Sequence, residues 1–306
     1  MTGRALSLPR LSAPRRHPAL ARLAPVLAVL IALIASWYVA AVLMNIGLVR
    51  DAFEREEAPY AIGDLISASL AAERPRLPAP HQIAAAFADG MFGYPVTSGR
   101  SLVFHSAVTL SATVVGFLLG ALFGVILATL IVHLPTLQKS LMPWIICSQM
   151  VPILAVAPIV IVVLGAIGIH GLLPKSIISA YLCFFPVAIG MVKGLSSPDP
   201  TQRDLMKTWS ATPAQVFWKL RWPSAVPFLF ASLKVAIAVS LVGAIVGELP
   251  TGAQAGIGAR LLAGSYYGQT IQIWAALLAA SLLAAGLVGL IGLAERAVGA
   301  RMGRQP

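Results

Sequence analysis

The chain has 306 residues, of which 58% are hydrophobic and only 11% charged, against roughly 25% charged in a soluble domain. That balance excludes an ordinary soluble enzyme and points to an integral membrane protein. The net charge of +11 is spread in short stretches between apolar runs, as in the positive-inside pattern, so nucleic acid is not an expected partner.

Residues 1–22 carry Arg4, Arg10, Arg15, Arg16 and Arg22 and no acid, and read as a basic cytoplasmic arm. Residues 23–44 are uncharged and apolar, about the 20 residues a first spanning helix needs and longer than a signal-peptide core. Residues 45–104 hold seven of the eleven acids and read as a periplasmic segment, with a short surface helix from Pro80 to Met91 that carries Ile83 and Phe87 on one face.

The second span is expected over 105–132. Gly116, Gly120 and Gly124 recur every four residues and line one helix face, where small residues let backbones approach. His105, at its start, reads as an interfacial histidine. The third span, 141–164, is interrupted by Pro143, Pro152 and Pro158 with Gln149 nearby. Backbone groups freed by proline must find partners or a wet cavity, so Gln149, Pro152 and Pro158 are candidate walls of a translocation path. A glycine corner at 165–171 leads to a fourth span over 175–192.

Residues 199–227, DPTQRDLMKTWSATPAQVFWKLRWPSAVP, are the long polar passage of the C-terminal two thirds. Asp199-Pro200 with Gln202, and Thr212-Pro213 with Gln215, are two capping-box signatures with proline at the first helical position. They predict two short helices, the second stopped by Pro223 and Pro227. A fifth span follows over 228–249. Its Lys234 is placed to snorkel to headgroups, and its Glu248, an intramembrane acid, is a fourth candidate for the translocation path, the alternative being a structural pair with Arg260. Residues 250–270 are too polar and glycine-rich to span. The sixth span, 271–293, carries Ala276, Ala280 and Ala284 on one face, and Arg296, Arg301 and Arg304 anchor a cytoplasmic tail over 297–306.

With both termini inside, fifteen Lys and Arg fall in the cytoplasm and seven outside, which places 199–227 in the cytoplasm. Cys147 and Cys183 lie in apolar runs and read as small buried hydrophobes. There is no P-loop, no H-E-x-x-H, no nucleophile elbow and no metal-ligand spacing. The chain therefore reads as a non-enzymatic transport subunit, driven from outside itself. An ion-coupled secondary carrier is the rival, less suited because essentially one charge, Glu248, lies within a span; a membrane-embedded enzyme is a more distant one.

The passage 199–227 also resembles the cytoplasmic loop of binding-protein-dependent ABC importer permeases, E-A-A, three residues, G, nine residues, I-x-L-P. Asp204-Leu205-Met206 stand at E-A-A, Ser210 at the glycine, and Leu220-Arg221-Trp222-Pro223 at the end. Blocks such as HSAVTLSATVVGFLLG, FFPVAIGMVKGLSSPDP and GELPTGAQAGIGARLLAG extend the likeness over 105–296, toward the nitrate, sulfonate and taurine branch.

The resemblance implies an all-α permease domain of the type I fold, with about six spans, in a bacterial inner membrane. A second permease copy, cytoplasmic ATPase subunits that consume ATP, and a periplasmic solute-binding protein would complete it, the chain itself binding no cofactor. The loop would dock on the ATPase through Val216, Phe217 and Leu220, flanked by Lys207 and Lys219, with Asp204, Ser210 and Pro223 as further loop positions. Ser210, where the family has glycine, would close the first helix at positive φ.

Overall fold

The computed structural model describes residues 18–250 and 255–302. The basic arm before residue 18 and the end of the tail lie outside that range. The chain divides into two compact units, residues 1–81 and 82–306.

In the first unit, α1 (Pro18–Arg55) begins within the sequence read as an arm and runs past Met44. Residues 45–55 continue it because they keep helix formers and an Arg50–Glu54 pair at i,i+4, 2.7 Å apart. The helix ends where Glu57 takes φ 48°. Buried Asn45 organises the return: its amide donates to Leu77 O at 2.8 Å, and its carbonyl accepts from Arg76 N, also at 2.8 Å. A short helix, α2 (Ile62–Ala71), packs on α1.

The second unit opens with α3 (Pro80–Phe92), the expected surface helix, whose Ile83 is buried. Three long helices make its core: α4 (Leu102–His133), α7 (Leu172–Leu195) and α10 (Trp222–Glu248), with α7 packed on both others. The predicted glycine stripe of α4 lies directly on α7. A Cβ at Gly120 would stand 2.6 Å from Ala180 O and 2.7 Å from Cys183 Cβ, so the approach admits no side chain at all. A polar stitch through α10 joins the three helices: the Ser179 hydroxyl of α7 and the Ser240 hydroxyl of α10 lie 2.6 Å apart, and Ser240 Oγ donates to Thr113 O of α4.

Between α4 and α7 the chain forms α5 (Pro135–Ser148) and α6 (Ile153–Ala166), bent by 97° at residues 149–152. The single third span expected over 141–164 is thus broken. Pro152 caps α6, lacks an N–H, and biases Val151 out of the α region; Pro143 and Pro158 sit inside helices. Tyr181 Oη donates to Ser148 O beside the break, giving one part-buried carbonyl there a partner.

After α7 come α8 (Pro200–Thr208) and α9 (Pro213–Val216), then a π-helical turn at Phe217–Arg221 that runs straight into α10. A short α11 (Ile257–Tyr266) and the long α12 (Thr270–Arg301) complete the unit. Ala276 and Ala280 of α12 are buried against Leu102 and Ile257. Among the described residues, five helices are long and apolar enough to cross a membrane, and the bent α5–α6 pair would be a sixth.

Two expectations about single residues are corrected. Lys234 does not reach away from the protein but pairs with Glu295 of α12, because both charges are held half-buried between the same helices. Cys183 is fully buried, whereas Cys147 is exposed on α5, a difference an apolar run cannot show because it does not say which face of its helix is covered.

Candidate functional site

Two polar constellations stand out, one on the loop 199–227 and one around Glu248. In the loop both capping boxes form. Asp199 Oδ1 accepts from Thr201 N at 2.7 Å while Gln202 Oε1 accepts from Asp199 N; Thr212 and Gln215 exchange the equivalent pair at 3.3 and 2.9 Å. The backbone donor at Thr201 holds the Asp199 carboxyl below its ordinary range, and Lys207 does the same for Asp204.

The turn between the helices is a Schellman motif. Ala211 N donates to Met206 O at 3.0 Å, Ser210 N donates to Lys207 O at 2.8 Å, and Ser210 has φ 52°. A serine resists that conformation by roughly 1 kcal/mol relative to glycine. Ser210→Gly is therefore expected to stiffen the loop, slowing amide hydrogen exchange over residues 200–216 severalfold, with little change elsewhere.

Pro223 and Pro227 do not stop the second helix. An α-helical Pro223 would press its ring on the carbonyl four residues back. The π turn widens the helix there, with Trp222 N donating to Phe217 O five residues earlier. The outcome is one unbroken helix over Pro213–Glu248, with the loop at one end and Glu248 at the other.

The apolar loop residues divide into two sets. Phe217 turns inward: it packs on the core cluster of Ala128, Val187 and Ala225 and its ring meets those of His133 and Trp222. Val216 and Leu220 are half-buried, and Pro223 likewise, while Lys207 and Lys219 are exposed. Leu205, Trp209 and Trp218 are the apolar side chains presented outward, at 51, 72 and 62% exposure. They escaped the sequence reading because helical position alone does not say which face the host protein already covers.

Glu248 is fully buried at the C-terminus of α10. Thr109 Oγ1 of α4 lies 3.0 Å from both carboxylate oxygens and shares its proton between them. Gly258 N donates to Oε2 at 2.8 Å. Lys175 Nζ of α7 stands 3.7 Å from Oε1 and donates to Ala255 O at 3.2 Å. Thr109 Oγ1 also accepts from Ile257 N, so a single hydroxyl ties α4 to both ends of the turn.

Next to it, His105 Nδ1 accepts from Gly256 N at 3.0 Å, which puts the ring proton on Nε2, facing Gly99 O at 2.9 Å. His105 is therefore a buried brace rather than an interfacial residue. Gly256 is required twice over. Its φ is +126°, and a Cβ there would fall 2.2 Å from the Glu248 carboxyl carbon.

The suggested Glu248–Arg260 pair is not made. Arg260 donates to Gln272 Oε1 at 2.6 Å, because α11 carries it toward α12, and Lys175 takes the place beside the acid. Of the path candidates, Gln149 and Pro152 lie at the α5–α6 break and Pro158 is half-buried within α6. Glu248, the fourth, is enclosed in the clasp. A cavity of about 560 Å³ does open beside Lys175, walled by Val108, Ser111, Ile161, His170 and Leu172.

A lipid-scale helical core, an internal charge clasp and an exposed two-helix loop together make a membrane transport subunit. The chain belongs to the family described as the binding-protein-dependent transport system inner membrane component, whose model matches residues 120–304. It is the permease subunit of an ABC importer, a family whose members work with ATPase and solute-binding partners.

The chain is similar to a probable ABC transporter permease protein of Haemophilus influenzae, at 33% identity over 57% of this chain and 69% of that protein. It is also similar to the riboflavin transport system permease protein RibX of Chloroflexus aurantiacus, at 33% identity over 72% of this chain and 78% of that one. The formylaminopyrimidine transport permease protein ThiX of Halalkalibacterium halodurans matches at 30% identity over 63% of this chain and 72% of its own length.

Proposed function

We propose that the loop 199–227 is the seat of a cytoplasmic ATPase and that the helix Pro213–Glu248 carries its movement into the membrane. The supporting observation is continuity: the exposed Trp218 and the buried Glu248 share one unbroken helix. An ATPase that binds ATP would draw the loop toward its counterpart on a second copy of this permease, tilting α10 and the helices clasped to it. Only contacts that differ between the two states can shift such an equilibrium. Asp204, Lys207, Ser210, Lys219, Leu220 and Pro223 shape the loop, and Val216 and Phe217 anchor it to the permease.

In this reading the subunit sits in a bacterial inner membrane with both termini in the cytoplasm. It works as a homodimer fed by a periplasmic binding protein, and ATP is consumed by the partner alone. The solute is small, drawn from the oxyanions, sulfonates and heteroaromatic compounds of the resembled branch. Gln149, Pro152 and Pro158 border its path, and Glu248 holds the outer end of the moving helix.

Trp218→Asp tests the docking role with least disturbance of the fold, because the side chain is exposed. The variant is expected to insert normally and to lose at least about tenfold in ATPase affinity, as burying an unpaired charge at a contact costs more than about 1.4 kcal/mol. Normal ATPase binding by well-inserted protein would contradict the reading.

A further inference from the structure

A cleft of about 290 Å³ separates α8 from the following helix, walled by Pro200, Arg203, Asp204, Lys207, Val216 and Arg221. Its ionic groups are three cations and one carboxylate, and that carboxylate is already taken: Asp204 Oδ1 lies 2.8 Å from Lys207 Nζ. Among the described residues, neither Arg203 nor Arg221 has a carboxylate within ion-pair distance. Arg203 Nε is buried with no hydrogen-bond partner among them.

Two guanidinium groups bordering one small cleft repel each other, and a buried N–H without an acceptor is costly. A carboxylate is the planar acceptor that would relieve both, since it can take two parallel N–H bonds from one guanidinium. The exposed Leu205, Trp209 and Trp218 of the same loop add the aromatic contact area typical of protein interfaces. Those apolar side chains favour a protein occupant.

We infer that the cleft receives an aspartate or glutamate side chain of the ATPase subunit, held between Arg203 and Arg221. This rests on the docking reading above and adds the chemistry of the partner's surface to it. Asp204, at the acidic position of the loop motif, borders the cleft and is paired with Lys207 on its exposed side.

The test uses the full-length permease in nanodiscs of neutral lipid and of anionic lipid, with affinity for the purified ATPase subunit measured at low and high salt. Arg203→Gln with Arg221→Gln is expected to weaken binding about 30-fold and flatten its salt dependence, the scale for losing a buried interfacial charge pair. Arg203→Lys with Arg221→Lys keeps the charge but not the planar fork, so it should restore the salt dependence and recover only part of the affinity.

If the glutamine pair binds as tightly as the wild type while Trp218→Asp binds poorly, the inference fails and the docking reading stands. If neither variant weakens binding, both fail. An effect confined to anionic nanodiscs would assign the cleft to lipid headgroups and overturn the inference. Equal losses in the glutamine and lysine pairs, with a lowered melting temperature, would make the cleft a structural feature and overturn it too.

Discussion

Glu248→Ala is expected to cost about 3–5 kcal/mol of stability, the scale for removing one member of a buried ion pair. The loss has several sources at once. Lys175 keeps its charge with side-chain exposure of only 13%, Gly258 N loses its acceptor, and Thr109 Oγ1 loses the group to which it donates. Glu248→Gln keeps an oxygen for Gly258 but gives up the charge facing Lys175, so about half the effect is expected. The measurement is the melting temperature of the purified permease in detergent, with Glu248→Ala and Lys175→Met compared singly and together. If the clasp is one unit, the double variant should lose less than the sum of the two single variants.

Gly120→Val should be nearly as damaging by a different route. The added Cβ would lie within 2.7 Å of a backbone carbonyl and of Cys183 on α7, and neither can move without displacing that helix. Overpacking of this kind costs about 3 kcal/mol or more once the separated helices also lose contact. Expression yield and the fraction of monodisperse protein should fall sharply. Gly286→Ala on α12 is the matched control, since nothing lies within 4 Å of its Cβ position, and it should behave as wild type.

These two variants probe opposite kinds of information in the sequence. The close-packing face of α4 was legible in advance, because glycines every four residues put one small-residue face on a helix whatever its partner; that the partner is α7 was not. The caps at Asp199 and Thr212 were legible for the same reason: each depends on residues no more than a turn away. The positive φ of Ser210 followed instead from the resemblance to a loop that has glycine there. Glu248 was also visible, as a charge where lipid permits few.

Its partners were not. Thr109 is 139 residues away, and Lys175 belongs to another helix, so neither spacing nor local pattern connects them. Arg260, the suggested partner, was near in sequence but is carried off by α11. A usable signal did exist in Gly256-Ile257-Gly258, two glycines flanking one residue shortly after the acid. Such a pair suits backbone that must close on a carboxylate.

The prolines misled for a related reason. Pro223 and Pro227 are local stop signals, yet the π turn at Phe217–Arg221 absorbs the first and the helix proceeds. That local compromise has a mechanical consequence in the proposed cycle. A helix ended at Pro223 would leave the loop hinged on a flexible joint, whereas the continuous helix makes the loop and Glu248 the two ends of one lever. Phe217, expected on the docking side, packs on the permease's own core and meets the His133 ring of α4, where it would fasten the lever's inner end.

Sidedness and protection of Trp218 test that lever most directly. In a Cys147→Ser, Cys183→Ala background, Trp218→Cys should react with a membrane-impermeant maleimide in inside-out vesicles, and added ATPase subunit should shield it. Labelling from the outer face of right-side-out vesicles, or no shielding by the bound ATPase, would contradict the account.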